Sequence, residues 1–334
     1  MIIRAAALLA AVAALSACAA QAPTASPAPA PAYRVSSIAL GTEALPYGIA
    51  VDPATHLLYV DTTSLNERTL TVLNPATRTM VANFHISPDD TILGTAVDPA
   101  THAVYLGRYN SPADDFAGTV SVVDETTGAI RATIPVGDAP QQLAADPAAN
   151  TVCVTDEASD AISVINTATG TVAATVYVGS QPSGVAIDTS TGVIYTANVD
   201  GSMSVIVKGS DTVARSYPAG RQPSAIAVDS STHTIYVSNF KDNSVTVFDA
   251  ETGTRSTIAG VGQRPLSIAV DPVTDTVYVA SENGTATVID GRTDRITATL
   301  AIGRAPETIV VDPGTHIAYV TDNQSDAISA ISPG

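Results

Sequence analysis

Asp52-Pro53-Ala54-Thr55-His56-Leu57-Leu58-Tyr59-Val60 and Asp312-Pro313-Gly314-Thr315-His316-Ile317-Ala318-Tyr319-Val320 are two copies of one phrase, with five more between them. Their leading aspartates, Asp52, Asp98, Asp146, Asp188, Asp229, Asp271 and Asp312, are separated by 46, 48, 42, 41, 42 and 41 residues. Self-similarity at such a period means one supersecondary unit copied and stacked. The repeat decides the architecture before any single element is assigned.

Each unit reads as four short strands. In the fourth they are Gly184-Val185-Ala186-Ile187, Val193-Ile194-Tyr195-Thr196, Ser202 to Val207, and Thr212 to Tyr217. Val, Ile, Thr and Tyr fill these runs, and Gly, Pro, Asn, Asp and Ser fill the breaks. No ten-residue stretch of the repeat region has a convincing helical period, so the domain is read as all-β.

The turn after each aspartate has a chemical logic. Asp caps its own turn, and a following proline presets φ near −65°. Four residues on stand His56, His102, Asn150, Gly192, His233, Asp275 and His316, types that tolerate left-handed geometry. A type I turn closed by one such residue is a common tight hairpin. The same grammar recurs at Asp124 to Gly128, Asn166 to Gly170, Asp249 to Gly253 and Asp290 to Asp294. Two residues before the aspartates come Ala50, Ala96, Ala144, Ala186, Ala227, Ala269 and Val310, small enough for strands crowded near a common axis.

Radial arrays of four-stranded sheets with repeats of this length are β-propellers. The seventh unit ends after its third strand, Ala327 to Ser332, while Tyr33 to Gly41 resembles the fourth strand of other units. The expected fold is a seven-bladed propeller of antiparallel four-stranded blades. Its ring is closed by the N-terminal strand in the last blade, which removes exposed edges.

Tyr236-Val237-Ser238-Asn239, Tyr195-Thr196-Ala197-Asn198 and Tyr319-Val320-Thr321-Asp322 resemble the signature of the YVTN-type β-propellers. Gly-x-x-Pro before most first strands, as in Gly179 to Pro182 and Gly220 to Pro223, fits as well. The resemblance spans residues 33–334. It implies seven blades and an extracytoplasmic setting, in a family with no single shared activity. Unit two departs most, with Asp89-Asp90-Thr91-Ile92 leading in and a longer insert from Arg108 to Gly118.

Residues 1–18 read as a targeting segment: Arg4, an apolar run Ala5 to Ala14, then Leu15-Ser16-Ala17-Cys18. The apolar run falls short of the about 20 residues a bilayer span needs. The last four residues resemble a bacterial lipobox, which makes Cys18 the expected site of lipidation; ordinary signal cleavage is the alternative. Two acyl chains suffice for stable anchoring. Ala19 after the cysteine favours an outer membrane where the host has one. Residues 19–32 are a Pro/Ala tether that reaches roughly 40 Å in extended geometry.

Net charge is −17, with Lys208 and Lys241 the only lysines. Nucleic acid would be repelled, and direct adsorption to anionic lipid is disfavoured, so the membrane is reached through the lipid anchor only. The expected state is a monomer with a protein or small-molecule partner at the cell envelope, in the periplasm or at the surface. With Cys18 lipidated, Cys153 has no partner.

Most reactive side chains are absorbed by the repeat. Four of five histidines occupy the left-handed turn position, and His85 stands alone. Cys153 takes the place of Tyr59, Tyr105, Tyr195, Tyr236, Tyr278 and Tyr319, which marks a packed strand residue. No catalytic residue is assigned. The candidates lie where the loop into the first strand and the loop after the second share one rim. They are Tyr47, Gln141, Gln142, Ser183, Arg221, Arg264 and Glu307 from the first loop. From the second come Arg108, Tyr109, Asp156, Glu157, Asn198, Asn239, Phe240, Lys241, Glu282, Asp322 and Asn323. Asp156, Asn198, Asn239 and Asp322 are oxygen ligands at one repeat position, suited to Ca²⁺ or Mg²⁺ if they converge. No cofactor is otherwise expected.

The leading expectation is an envelope-anchored scaffold for binding, with no catalysis evident. One alternative is a metal-dependent lactonase- or lyase-like propeller. Another is a redox-associated accessory protein, which the lack of tryptophan and of haem ligation weakens.

Overall fold

The computed structural model describes residues 32–64, 67–87, 91–109 and 117–334. Cys18, the tether apart from Ala32, the Asp89-Asp90 lead-in and most of the insert after Arg108 lie outside the described residues. The strands form seven four-stranded antiparallel sheets, each inner strand neighbouring those of the two flanking sheets. This is the seven-bladed, all-β propeller that the repeat implies.

Blades 1 to 6 occupy residues 46–87, 91–135, 140–177, 182–218, 223–259 and 265–301, each running outward from the axis in chain order. Blade 7 takes Pro306–Asp312, Ile317–Asp322 and Ala327–Pro333, then borrows Tyr33–Ala39 as its outer strand. That strand runs antiparallel to the C-terminal one, from Tyr33 opposite Pro333 to Ala39 opposite Ala327. Ile38 is buried, and Tyr33 packs edge-on against Tyr278 with ring centroids 6.4 Å apart. The ring is closed by side-chain packing as well as by the ladder.

The turn recipe holds at every blade. His56, His102, Asn150, Gly192, His233, Asp275 and His316 all have φ between 51° and 75°. Each leading aspartate accepts a bond from a backbone N–H just after it, as from Ala54 to Asp52 at 2.8 Å and Gly314 to Asp312 at 2.9 Å. The second turn repeats the device, and blade 1 uses it too, with Asn74 capping Ala76 and Arg78 left-handed at 58°. Blade 4 differs from the sequence expectation. Its third strand stops at Ile206 and its fourth starts at Arg215, because a turn from Ser210 to Val207 and a bond between Ser210 and Thr212 hold the chain off the ladder.

The core is divided among the seams between blades. Each of seven buried clusters draws on two adjacent blades. The cluster of Ile49, Leu58, Tyr319 and Ile328, for example, joins blade 7 to blade 1. Each seam also takes one residue from the tyrosine position, and Cys153 fills it between blades 3 and 4. Burial pushes its thiol up to about 12, so it serves as a packing residue and not as a nucleophile.

Near the axis, pairing slips just after every blade's lead-in residue: after Pro46, Ile92, Pro140, Pro182, Pro223, Pro265 and Pro306. Such bulges bend a strand and re-aim side chains. They set the residues that surround the channel.

Removing residues 33–41 is expected to lower Tm by on the order of 10 °C or to abolish cooperative melting, since an edge ladder and the Ile38 and Tyr33 packing go with it. Removing only residues 19–30 is expected to leave Tm unchanged. Equal melting of the two truncated proteins by calorimetry contradicts the closure.

Candidate functional site

The bulges place one side chain per blade around the mouth of the channel: Tyr47, Leu93, Gln141, Ser183, Ser224, Leu266 and Glu307, each directly after its lead-in residue. With Gln142 and Thr308 they enclose a cavity of about 230 Å³. Two positions deeper, Ile49, Thr95, Leu143, Val185, Ile226, Ile268 and Ile309 line a second space of about 160 Å³. Leu93, Gln142 and Thr308 border both. The channel has a polar, irregular mouth over a ring of aliphatic side chains and Thr95, with Ser267, Gly48 and Gly94 also bordering the deeper space.

The mouth side chains differ in how far they are already engaged. Ser183 and Ser224 donate across the seams to the carbonyls of Pro223 and Pro265, at 2.9 and 2.6 Å. Gln141 Nε2 donates to Glu157 at 2.5 Å. The side chains of Tyr47, Gln142 and Glu307 are outside these bonds. Burial, and the like charge of Glu282, push the Glu307 carboxyl up to about 7. A phenol, an amide and a carboxyl that titrates near neutrality therefore face the cavity together.

Beyond the mouth, the rim on blades 5 and 6 carries Arg221 beside Asp242 at 3.7 Å and Arg264 on Glu282 at 3.1 Å. Lys241 and Arg264 flank the Phe240 ring at 5.8 and 5.6 Å. Exposed pairs of this kind contribute little stability. Asn323 is buried and bridges to the Pro46 carbonyl at 3.3 Å, which helps to join blade 7 to blade 1.

Asp156, Asn198, Asn239 and Asp322 do not converge. Each is buried in its own blade, under the glycine of the lead-in loop. Asn198 Nδ2 donates to Ser202 and Ser204, both at 3.0 Å. Asn239 Nδ2 donates to Ser244 and Thr246. Asp156 and Asp322 instead accept from Ser163 and Ser329. A Cβ on Gly220 would meet Asn239 at 2.4 Å, and one on Gly303 would meet Asp322 at 2.3 Å. Arg108 is the buried residue at the same place in blade 2, and Tyr109 follows it at the strand end. Among the described residues, no three His, Cys, Asp or Glu side chains form a metal-holding group.

Asn and Asp are not equivalent in this position. Burial raises Asp156 to about 7, against the bonds from Ser163 and Gly137. Burial likewise raises Asp322 to about 6. A carboxyl with a raised folded pKa loses stability as pH climbs from about 4 towards that value. Asp156→Asn, which copies blades 4 and 5, is expected to raise Tm by a few degrees at pH 8, with the gain shrinking at pH 5. A lower Tm at pH 8 in a melting series contradicts this.

Sequence reasoning missed Leu93, Ser224, Leu266 and Thr308, although spacing from the lead-in residue identifies them. It also missed Asp61, which is wholly buried beside the channel. Asp61 accepts from Gly48 N at 2.8 Å and Thr95 Oγ1 at 3.2 Å. Thr155 and Thr321 satisfy the equivalent bulge N–H groups, of Gln142 and Thr308, with a hydroxyl. Burial pushes Asp61 up to about 7, against those bonds and the Arg68 charge.

On the opposite face three turn histidines reach the leading aspartate of the preceding blade. His56 lies 2.9 Å from Asp312, His316 2.8 Å from Asp271, and His233 2.7 Å from Asp188. The bond to Asp188 raises His233 despite burial. Burial works to raise Asp188, but bonds from Ser190 and His233 outweigh it and hold it low. The pair is fully stabilising from about pH 4 to about pH 6.5, and its contribution is lost as pH rises through the His233 value. His233→Gly keeps the left-handed turn. It is expected to lower Tm more at pH 5.5 than at pH 8.5; an equal loss at both contradicts the bridge.

A family model described as Lactonase, 7-bladed beta-propeller, matches residues 193–311, from the second strand of blade 4 to the inner strand of blade 7. No curated protein sequence matches the chain. Among solved structures, Kuenenia stuttgartiensis hydrazine synthase is similar at 17% identity and a TM-score of 0.74, over 88% of this chain and 97% of that one. A likeness at that identity speaks to the fold alone. The chain is a seven-bladed β-propeller, of which the later blades carry a lactonase-family match.

Proposed function

We propose that this chain is a YVTN-type repeat propeller, anchored at the cell envelope through lipidated Cys18, that binds a small polar ligand in the channel mouth. The observation that carries the reading is the set Tyr47, Gln142 and Glu307, which line one cavity at the point where the blades differ most. Binding sites of this kind are concave, with a few polar groups set among apolar walls. Tyr33 begins the closing strand beside Pro333, on the turn face. Net charge of −17 supports a partner other than nucleic acid.

A second reading is favoured by the lactonase-family match together with Glu307. A carboxylate with a pKa of about 7 is suited to take a proton from a water attacking a lactone carbonyl. Tyr47 and Gln142 would donate to the oxyanion, water's oxygen would become the new carboxyl oxygen, and Glu307 would return its proton to the ring alkoxide. Binding needs only the cavity, whereas hydrolysis needs turnover.

Screening small polar metabolites, charged and neutral, by ligand-detected NMR separates the two. Binding is expected to weaken by about tenfold or more in Gln142→Ala and Glu307→Gln, while simple lactones release acid no faster than in buffer. Lactone hydrolysis lost by about 100-fold in Glu307→Gln would replace the binding reading with the enzymatic one. Ligands indifferent to all three mouth residues would remove both.

A further inference from the structure

We propose that the mouth ligand carries a positive charge: an organic ammonium whose head sits between Glu307 and Tyr47. This rests on the binding reading above and adds the charge class of the ligand. Glu307 and Tyr47 are neighbours across the seam that closes the ring. Thr321 Oγ1 accepts from Thr308 N at 3.0 Å and donates to the Tyr47 carbonyl at 2.7 Å, so one hydroxyl fixes the two strand starts side by side. Asn323 holds the adjacent Pro46 carbonyl. A carboxylate beside an aromatic ring is the pairing that recognises ammonium groups, by Coulomb attraction and by the ring's negative face.

The surroundings favour that sign of charge. Among the described residues no Lys or Arg lines the mouth; its other walls are amides, hydroxyls and two leucines. The adjoining rim charge is Glu282, which acts on Glu307 as a like charge. Arg264, which could have offset it, is held on Glu282 and turned over the Phe240 ring. An anionic ligand would meet two carboxylates, and a neutral one would leave Glu307 without a counter-charge. A cation satisfies Glu307 and favours its ionised form, so binding near pH 6.5 releases a proton.

The depth of the channel limits the rest of the ligand. Below the mouth the ring from Ile49 to Ile309 is aliphatic apart from Thr95, and the Asp61 carboxyl beside it is wholly buried, so the charged head stays at Glu307 and a short alkyl tail meets the ring. The fit is an alkylammonium or methylated ammonium of a few heavy atoms.

The probes are n-butylammonium, n-butanol and butyrate, matched in length, titrated calorimetrically into the full propeller. Butylammonium is expected to bind at least about tenfold more tightly than butanol, with butyrate weakest. Its heat should vary with the buffer's ionisation enthalpy as a proton is released. Glu307→Gln is expected to erase the preference, and Glu307→Asp, which keeps the charge, to retain most of it. Tyr47→Leu should cost several-fold, with unchanged circular dichroism and melting showing that each variant is folded. Butanol or butyrate binding as tightly as butylammonium overturns the inference. If Gln142→Ala still weakens butanol, the mouth-binding reading survives that failure. No binding by butylammonium also overturns the inference, and absence of any mouth ligand in the NMR screen overturns the broader reading with it.

Discussion

Seven sheets can share one axis only if their innermost strands pack side by side, and that crowding governs the rest of the molecule. The inner strands meet through small side chains such as Ala50, Ala186 and Ala227. Pairing slips just after the lead-in residue of every blade. Where that residue is proline, the one before it is left-handed, as at Gln181, Gln222 and Arg264. The slip does two things at once. It lets the strands converge without collision, and it turns the following side chain into the channel. The mouth is therefore a product of closure and not an addition to it. The seams below, each with its own buried cluster, hold the bulges in place.

The same geometry sorts the reactive side chains. Histidines at the turns are used to join blades, with His56, His233 and His316 on carboxylates across the seams. Hydroxyls near the axis, Ser183, Ser224 and Thr321, are used to tie one blade's backbone to the next. Against that background Glu307 stands apart as the carboxyl of the mouth. Asp61 is a different case, since it meets a structural need that a threonine hydroxyl meets in blades 3 and 7. Burial disfavours its charged form.

Much of this was legible in the sequence because it is local. A left-handed residue four after each aspartate, the capping bonds and the missing fourth strand all follow from turn chemistry and counting. Cys153 could be placed in the core by its register with the tyrosines. Tyr47, Gln142 and Glu307 could be placed on the rim by loop position alone. What could not be read was depth. Asn198, Asn239, Asp156 and Asp322 have the composition of solvated loop residues, yet each is covered by a glycine of the loop that leads into its blade. Arg108 misled in the same way. Loop position says which face a residue belongs to, and only the tertiary approach of the lead-in loop says whether it reaches solvent.

The central claim is that function resides in the mouth formed by the bulged strands. A crystal structure of the full chain purified from cells that make it, with whatever small molecule travels with it, tests this most directly. The account predicts ordered ligand density against Tyr47, Gln142 and Glu307. Ligand density on the turn face or between outer strands, with solvent in the mouth, would contradict it.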